Sequence, residues 1–488
     1  MKNDIVVTFL SQVIGLLASV FVLAKLADLY GETGVGFFSI VHRVTAAYTP
    51  IIVMGVSIAL SRELIVAKKE SRSWHESLMF AGVLIVLFDL LLADALLLAF
   101  KGTVFSATVG KTSLAGLSPA GLAWLLVFLL GGNVLYTLDY AFLRGNLDFV
   151  KAAGLSLGWS LSPLLFYITI RARQIQDFVW ILSVGQFVIS LLVLSAILMK
   201  VVRPRNRGLP LLGRGVKYLL SFGVPRLPLF FIFSWILSGG IFVLSSLGFS
   251  ADSARYSLSF SLLRYVGFSV SSVGVVLLPH MRSKNPEDNV RRGRIILSFL
   301  TDIVVVLVLA TLVVMPFFMR RYLNMDAGYI KSTGLTLLIV VGIPGVLGFE
   351  LLRNVIDAVS FRPYNTWNSF VGLIIGIATL VTLLFLFGMT PINAVNIATG
   401  VIFLVLGVLT LARAAALLHI ELRKDVVFVL LQFLGAALLC ALGTSLPLIA
   451  TMGLMALLGR LILVRRPWTR VILDLLRSWR ASFVHGVR

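Results

Sequence analysis

Cysteine is nearly absent. Cys440 stands alone in 488 residues, so no internal disulfide can form, and the thiol has no ligating neighbours in sequence. Charge is scarce too, at 13% of residues against 59% hydrophobic. A soluble chain of this length could not cover itself with so little polar surface. Acidic residues are scarcest, 21 against 42 Lys and Arg. No G-x-x-x-x-G-K-[ST] run occurs, which argues against ATP hydrolysis. Gly31, Gly34 and Gly36 cluster in an expected turn, not in a dinucleotide loop. No His, Cys or carboxylate group has metal-ligand spacing. No extramembrane segment exceeds about 25 residues, too short for a soluble catalytic domain. These absences argue against an enzyme and against a resident cofactor or metal.

What is present is apolar sequence, in runs of about 20 residues from end to end, the length that crosses a bilayer as helix. The expected fold is an all-α polytopic membrane protein; unbroken apolar runs argue against a β-barrel, which alternates over about ten residues. We read about fourteen spans, near 5–29, 34–61, 78–100, 119–143, 152–170, 178–199, 216–247, 254–280, 294–318, 333–359, 366–388, 392–416, 427–446 and 448–464. The first apolar stretch is too long for a signal h-region and is expected to stay as an anchor.

The net charge of +21 sits mostly in short loops, as the positive-inside rule requires, and does not form a nucleic-acid surface. Loops after even-numbered spans carry Lys68, Lys69 and Arg72; Arg203, Arg205, Arg207 and Arg214; and Arg282, Lys284, Arg291 and Arg292. Loops after odd-numbered spans are poorer, apart from one with Arg320, Arg321 and Lys331. The expected location is therefore the cytoplasmic (inner) membrane, with both termini cytoplasmic.

The longest basic linker divides the chain. The expected parts are an N-lobe over 1–200, a basic cytoplasmic linker over 201–217, a C-lobe over 218–416, two more helices over 417–466 and a cytoplasmic amphipathic tail over 467–488. The lobes echo one another faintly: a span, a polar turn and a second span run from Leu26 to Ala59-Leu-Ser-Arg62, and again from Leu244 to Leu278-Pro-His-Met-Arg282. Six spans per repeat would orient both halves alike. The tail places Trp468, Val471, Ile472, Leu475 and Trp479 on one helical face, which fits the membrane interface or the protein's own loops.

Charges inside the spans carry the functional information, because ionisable residues there usually face the bundle interior or a water-filled cavity. Arg43, Asp89, Arg264 and Glu350 lie well away from either end of their spans. Arg226 sits between Pro225 and Pro228, and no charge follows from Leu229 to Leu247. An Arg at mid-bilayer costs roughly 3 kcal/mol. Arg226 is only about ten residues, roughly 15 Å, from the cytoplasmic start of its span, which makes it a cation near the inner mouth. Arg43, Arg226 and Arg264 suit an anionic group such as a phosphate. Asp89 or Glu350 could carry a coupling H+ or Na+; local pairing, as between Glu350 and Arg353 or Lys25 and Asp28, is the competing reading. Prolines 50, 163, 225, 228, 316 and 344 interrupt spans and provide kinks, and Gly372 and Gly376 form a GxxxG suited to close helix packing.

Two stretches resemble a known family. Leu29-Tyr-Gly-Glu-Thr-Gly-Val-Gly-Phe-Phe-Ser39 with Gly55-Val-Ser-Ile-Ala-Leu-Ser-Arg62 is similar to the first helix pair of polysaccharide (O-antigen-type) flippases, and Tyr218-Leu-Leu-Ser-Phe-Gly-Val-Pro-Arg-Leu-Pro228 to the opening of their seventh helix. These flippases belong to the multidrug/oligosaccharidyl-lipid/polysaccharide exporter superfamily. The resemblance implies two six-helix lobes in a V plus two C-terminal helices, with helices 1, 2, 7 and 8 lining a central cavity. It places Lys25, Arg43, Arg226 and Arg264 on those helices as substrate-binding residues. The function it implies is flipping of a polyprenyl-pyrophosphate-linked oligosaccharide by alternating access, with glycosyltransferases or a polymerase of the same pathway as partners. A lipid II-type or multidrug exporter, or a non-transporting scaffold for glycosyltransferases, are the alternatives. The seventh span lacks a carboxylate, unlike the family pattern of ion coupling.

Overall fold

The computed structural model describes residues 2–104, 118–169, 172, 174–201, 209–282, 286–322 and 326–420. All regular structure among them is helical. Helices α1 (Lys2–Ile52), α2 (Val56–Glu70), α3 (Arg72–Ala99), α4 (Pro119–Gly145), α5 (Phe149–Thr169), α6 (Ile175–Val201) and α7 (Leu209–Gly223) lead to a 3-10 turn, Val224–Arg226. Then come α8 (Leu227–Ser246), α9 (Ser250–Arg282), α10 (Pro286–Tyr322), the short α11 (Ala327–Ile330) and α12 (Thr333–Leu337), and α13 (Ile343–Val359), α14 (Tyr364–Phe385) and α15 (Pro391–Leu417). Among the described residues eight helices are long and apolar enough to cross a membrane, nine if a bent pair counts as one span. The chain is a multi-pass membrane protein. Spans 13 and 14 and the amphipathic tail lie outside the described residues.

One sequence expectation is corrected. Helical hydrogen bonding continues unbroken through α1, including the stretch 30–36 read as a turn. At 1.5 Å per residue its 51 residues measure about 77 Å, two span lengths in one helix. Glycine punctuates a chain weakly where every backbone N–H must find an internal partner. The break comes later. Pro50 lacks an N–H, Met54 and Gly55 take positive φ of 46° and 69°, and α2 leaves at 48° to the end of α1. Glycine supplies that left-handed conformation without a Cβ clash.

The described chain divides into two compact units. The first takes in Asn3–Phe231 and the last turn of α9, Leu278–Ser283; the second takes in Ile232–Leu277 and the chain beyond Lys284. In the first unit Leu60, Leu64, Leu78, Met79, Leu138, Phe142 and Phe222 form a buried core between α2, α3, α4 and α7. A second core gathers Leu26, Val41, Leu125, Leu129, Phe178 and Leu182. Gly223 lies so close to the α1–α2 break that a Cβ there would collide with the Met54 carbonyl.

The second unit is organised by α13. Pro344 cannot donate to the carbonyl four residues back, and the preceding turn, Leu338–Gly342, widens into a π-helix. Gly345 and Gly348 then face α15, where Cβ atoms would meet the backbone of Phe403 and Gly407. The expected GxxxG also packs: Gly372 and Gly376 bring α14 onto Leu406 and Ile402. Hydrogen bonds tie α9 in, from Tyr256 Oη to Thr399 Oγ1 at 2.9 Å and Ser259 Oγ to Tyr329 Oη at 2.8 Å. Burial raises the Tyr329 phenol above its ordinary pKa, and the Ser259 hydrogen bond acts the other way.

Candidate functional site: a guanidinium cluster

The breaks at Gly55 and Gly223 are adjacent, and that junction sets the positions of the charges beyond it. Arg226 ends the 3-10 turn and is 1% exposed. Its Nη1 donates to the Phe222 carbonyl at 2.8 Å, and its guanidinium lies 3.5 Å from the Phe222 ring centroid. Arg62, two turns along α2 from Gly55, approaches the same ring at 5.2 Å. A desolvated cation on an aromatic face is worth about 2 kcal/mol, so Phe222 partly offsets the burial of both.

A buried carboxylate joins this group. Glu63 is buried and lies 3.1 Å from Arg62 Nε. Arg282 Nε, from the last turn of α9, donates to the same Glu63 Oε1 at 3.3 Å. The Tyr218 hydroxyl also hydrogen-bonds Glu63. Arg226 and Arg282 are both close enough to Arg62 to oppose its charge. Arg62 and Arg282 thus share the Glu63 carboxylate, and Arg226 stands beside Arg62 on the Phe222 ring. Such a site has the donors for a phosphate or pyrophosphate group, since guanidinium forks match its oxygens.

Two further contacts fix the last turn of α9. His280 Nε2 lies 3.1 Å from Asp4 Oδ2, and its ring stacks on Phe149 at 5.6 Å. Next to the cluster, Trp74 packs edge-on against Tyr218, and Arg214 covers the Trp74 ring.

Of the residues singled out from sequence, Arg226 lies in this cluster. Lys25 sits in a local pair with Asp28 at 3.1 Å and beside the Phe21 ring. The helical backbones of α1 and α9 carry Arg43 and Arg264, whose side chains are outside the described set. Glu350 is buried on α13 and pairs with Arg353 at 2.7 Å; Asp357 accepts from Asn365. Asp89 on α3 has one oxygen buried without a hydrogen-bond partner. Sequence reasoning did not select Arg62, Glu63 or Arg282. The signal was the internal echo: Arg62 and Arg282 close the two echoed segments, and the fold brings them to one carboxylate. Among the described residues no group of three or more His, Cys, Asp or Glu could hold a metal.

The sequence matches no protein-family model and no curated protein. Solved structures do match. The Vibrio cholerae MATE transporter VcmN in its bent form superposes with a TM-score of 0.67 at 15% identity, covering 86% of this chain and 97% of that one. The eukaryotic MATE transporter AtDTX14 gives 0.62 at 14%, covering 86% and 98%. A MOP-superfamily transporter from Pyrococcus furiosus, described as having a binding pocket of reverse polarity that suggests a different function, gives 0.59 at 13%, covering 89% and 96%. The fold is that of the MATE transporters of the MOP superfamily.

Proposed function

We propose that the protein is a transporter that moves an anionic amphiphile across the cytoplasmic membrane, specifically a polyprenyl-pyrophosphate-linked oligosaccharide, by alternating access. The observation that carries this reading is the guanidinium cluster, in which Arg62 and Arg282 pair with Glu63 and Arg226 shares the Phe222 ring with Arg62. A pyrophosphate offers the oxygens that guanidinium forks match, and a route for lipophilic cations would not favour three guanidinium groups. Lys25, Arg43 and Arg264 are further substrate-binding residues in this reading, and both termini face the cytoplasm. The transporter fold supports movement across the membrane, and the sequence resemblance supports the lipid-linked sugar.

A multidrug exporter is the second reading, favoured by the MATE transporters that share the fold. The test is reconstitution. Proteoliposomes carrying a polyprenyl-pyrophosphate-linked disaccharide are assayed for exposure of the sugar to a membrane-impermeant lectin. Flipping should exceed that of protein-free liposomes and fall at least tenfold in Arg226→Ala. Flipping no faster than in protein-free liposomes, together with export of a lipophilic dye cation, would overturn the proposal in favour of the second reading.

A further inference from the structure

Asp139 is the most completely buried carboxyl among the described residues of the first unit. It lies on α4, has 0% exposure, and neither carboxylate oxygen has a hydrogen-bond partner. Helices pack around α4 on several sides. Ser61 of α2 donates to the Ala141 carbonyl, Gly132 abuts Gln186 and Phe187 of α6, Gly131 lies near Leu90 of α3, and Tyr136 stacks on Trp159 of α5. Its neighbours Leu135, Leu138 and Phe142 belong to the apolar core with Leu60 and Leu194.

The charged and titratable groups with described side chains on these helices are engaged elsewhere; the side chain of Lys200, at the end of α6, is outside the described set. On α2, Arg62 and Glu63 belong to the cluster described above, and Lys68, Lys69 and Glu70 are exposed at its end. On α3, Arg72 pairs with Glu76, His75 bonds Asn146, and Asp89 and Asp94 are acids themselves. On α4, Arg144 lies over Tyr140; on α5, Lys151 pairs with Asp148. Tyr167 of α5 and Asp177 of α6 bring no positive charge. An ionised carboxylate buried without a counter-charge or donor is far more costly than the neutral acid. Sodium would need several oxygen ligands, and the described residues offer no acidic cluster to supply them.

We propose that Asp139 is a proton-binding site: it holds a proton in this conformation and releases it when alternation admits water beside α4. Its role as the coupling group rests on the transport reading above, whereas its protonation does not. Glu350 differs, because Arg353 supplies its counter-charge. Asp89 differs because only one of its oxygens is buried and unpartnered.

The experiment has two arms, using the full-length protein in proteoliposomes. In the first, infrared spectroscopy reads the carbonyl stretch of a protonated carboxylic acid in a dry environment. The band should be present in the wild type, unchanged by Na+, and absent in Asp139→Asn, which has the shape of the neutral acid. Asp139→Ser provides the same comparison if the amide folds poorly. An identical band in wild type and variants, or one removed by Na+, would overturn the proposal. In the second arm an imposed pH gradient should speed flipping of the polyprenyl-pyrophosphate-linked disaccharide at least fivefold in the wild type. Flipping by Asp139→Asn should not be accelerated by the gradient. A wild type that responds to the gradient with an equally responsive Asp139→Asn would overturn the coupling role. A wild type that flips nothing, with the band intact, would remove the transport reading and leave the proton site standing.

Discussion

Glutamine in place of Glu63 keeps the side-chain shape and removes the carboxylate that Arg62 and Arg282 share. The two ion pairs it breaks are not equal. Arg62 is 4% exposed and 3.1 Å away, whereas Arg282 is 37% exposed and 3.3 Å away. At an effective dielectric of about 20, charges 3.1 Å apart attract by about 5 kcal/mol before desolvation is counted. Removing one partner of a buried pair costs about 3–5 kcal/mol, because a charge is left uncompensated. A pair open to water is worth at most about 1 kcal/mol. Glu63→Gln should therefore destabilise the protein by about 3–5 kcal/mol. Its coupling to Arg62 should be about 2–3 kcal/mol and its coupling to Arg282 about 1 kcal/mol. Unfolding equilibria titrated with SDS in mixed micelles, over the two double-mutant cycles Glu63/Arg62 and Glu63/Arg282, give both values. Additivity in both cycles to within about 0.5 kcal/mol, or a larger coupling to Arg282 than to Arg62, would refute this account of the cluster.

Other perturbations test neighbouring parts of the argument. Arg226→Lys keeps the charge but loses the planar stacking on Phe222, so its affinity for inorganic pyrophosphate, measured by calorimetry in detergent, should lie between those of the wild type and Arg226→Ala; equal weakening in both variants would show that charge contributes nothing. Gly223→Ala drives a methyl into the Met54 carbonyl and should cost about 1–3 kcal/mol, seen as a lower thermal midpoint; an unchanged midpoint would mean that the α1–α2 break does not rest on α7. Gly345→Ala meets the backbone of Phe403 and should cost at least as much, whereas Gly154→Ala, with nothing near its Cβ, should leave the midpoint unchanged or raise it.

Much of the fold was legible because the membrane narrows the choices. Without water to satisfy backbone groups, an apolar run of span length has to be helix, and the eight spanning helices follow those runs. Pro344 and the Gly372/Gly376 pair acted where local chemistry placed them, because a missing N–H and a missing Cβ have the same consequence in any surroundings. The stretch 30–36 was misread because turn propensity is a weak local preference that a continuous helix overrides.

Sequence alone determined that this chain is helical, membrane-spanning and cationic, since composition and run length settle those matters residue by residue. It also marked Arg226 as a charge in an expensive place. Only the tertiary structure decided what surrounds that charge. Glu63 and Arg282 are 219 residues apart in sequence and 3.3 Å apart in space, and that proximity follows from the junction at Gly55 and Gly223 and from the last turn of α9. The isolation of Asp139 is likewise invisible in sequence, because the absence of a partner is a property of every helix packed around it.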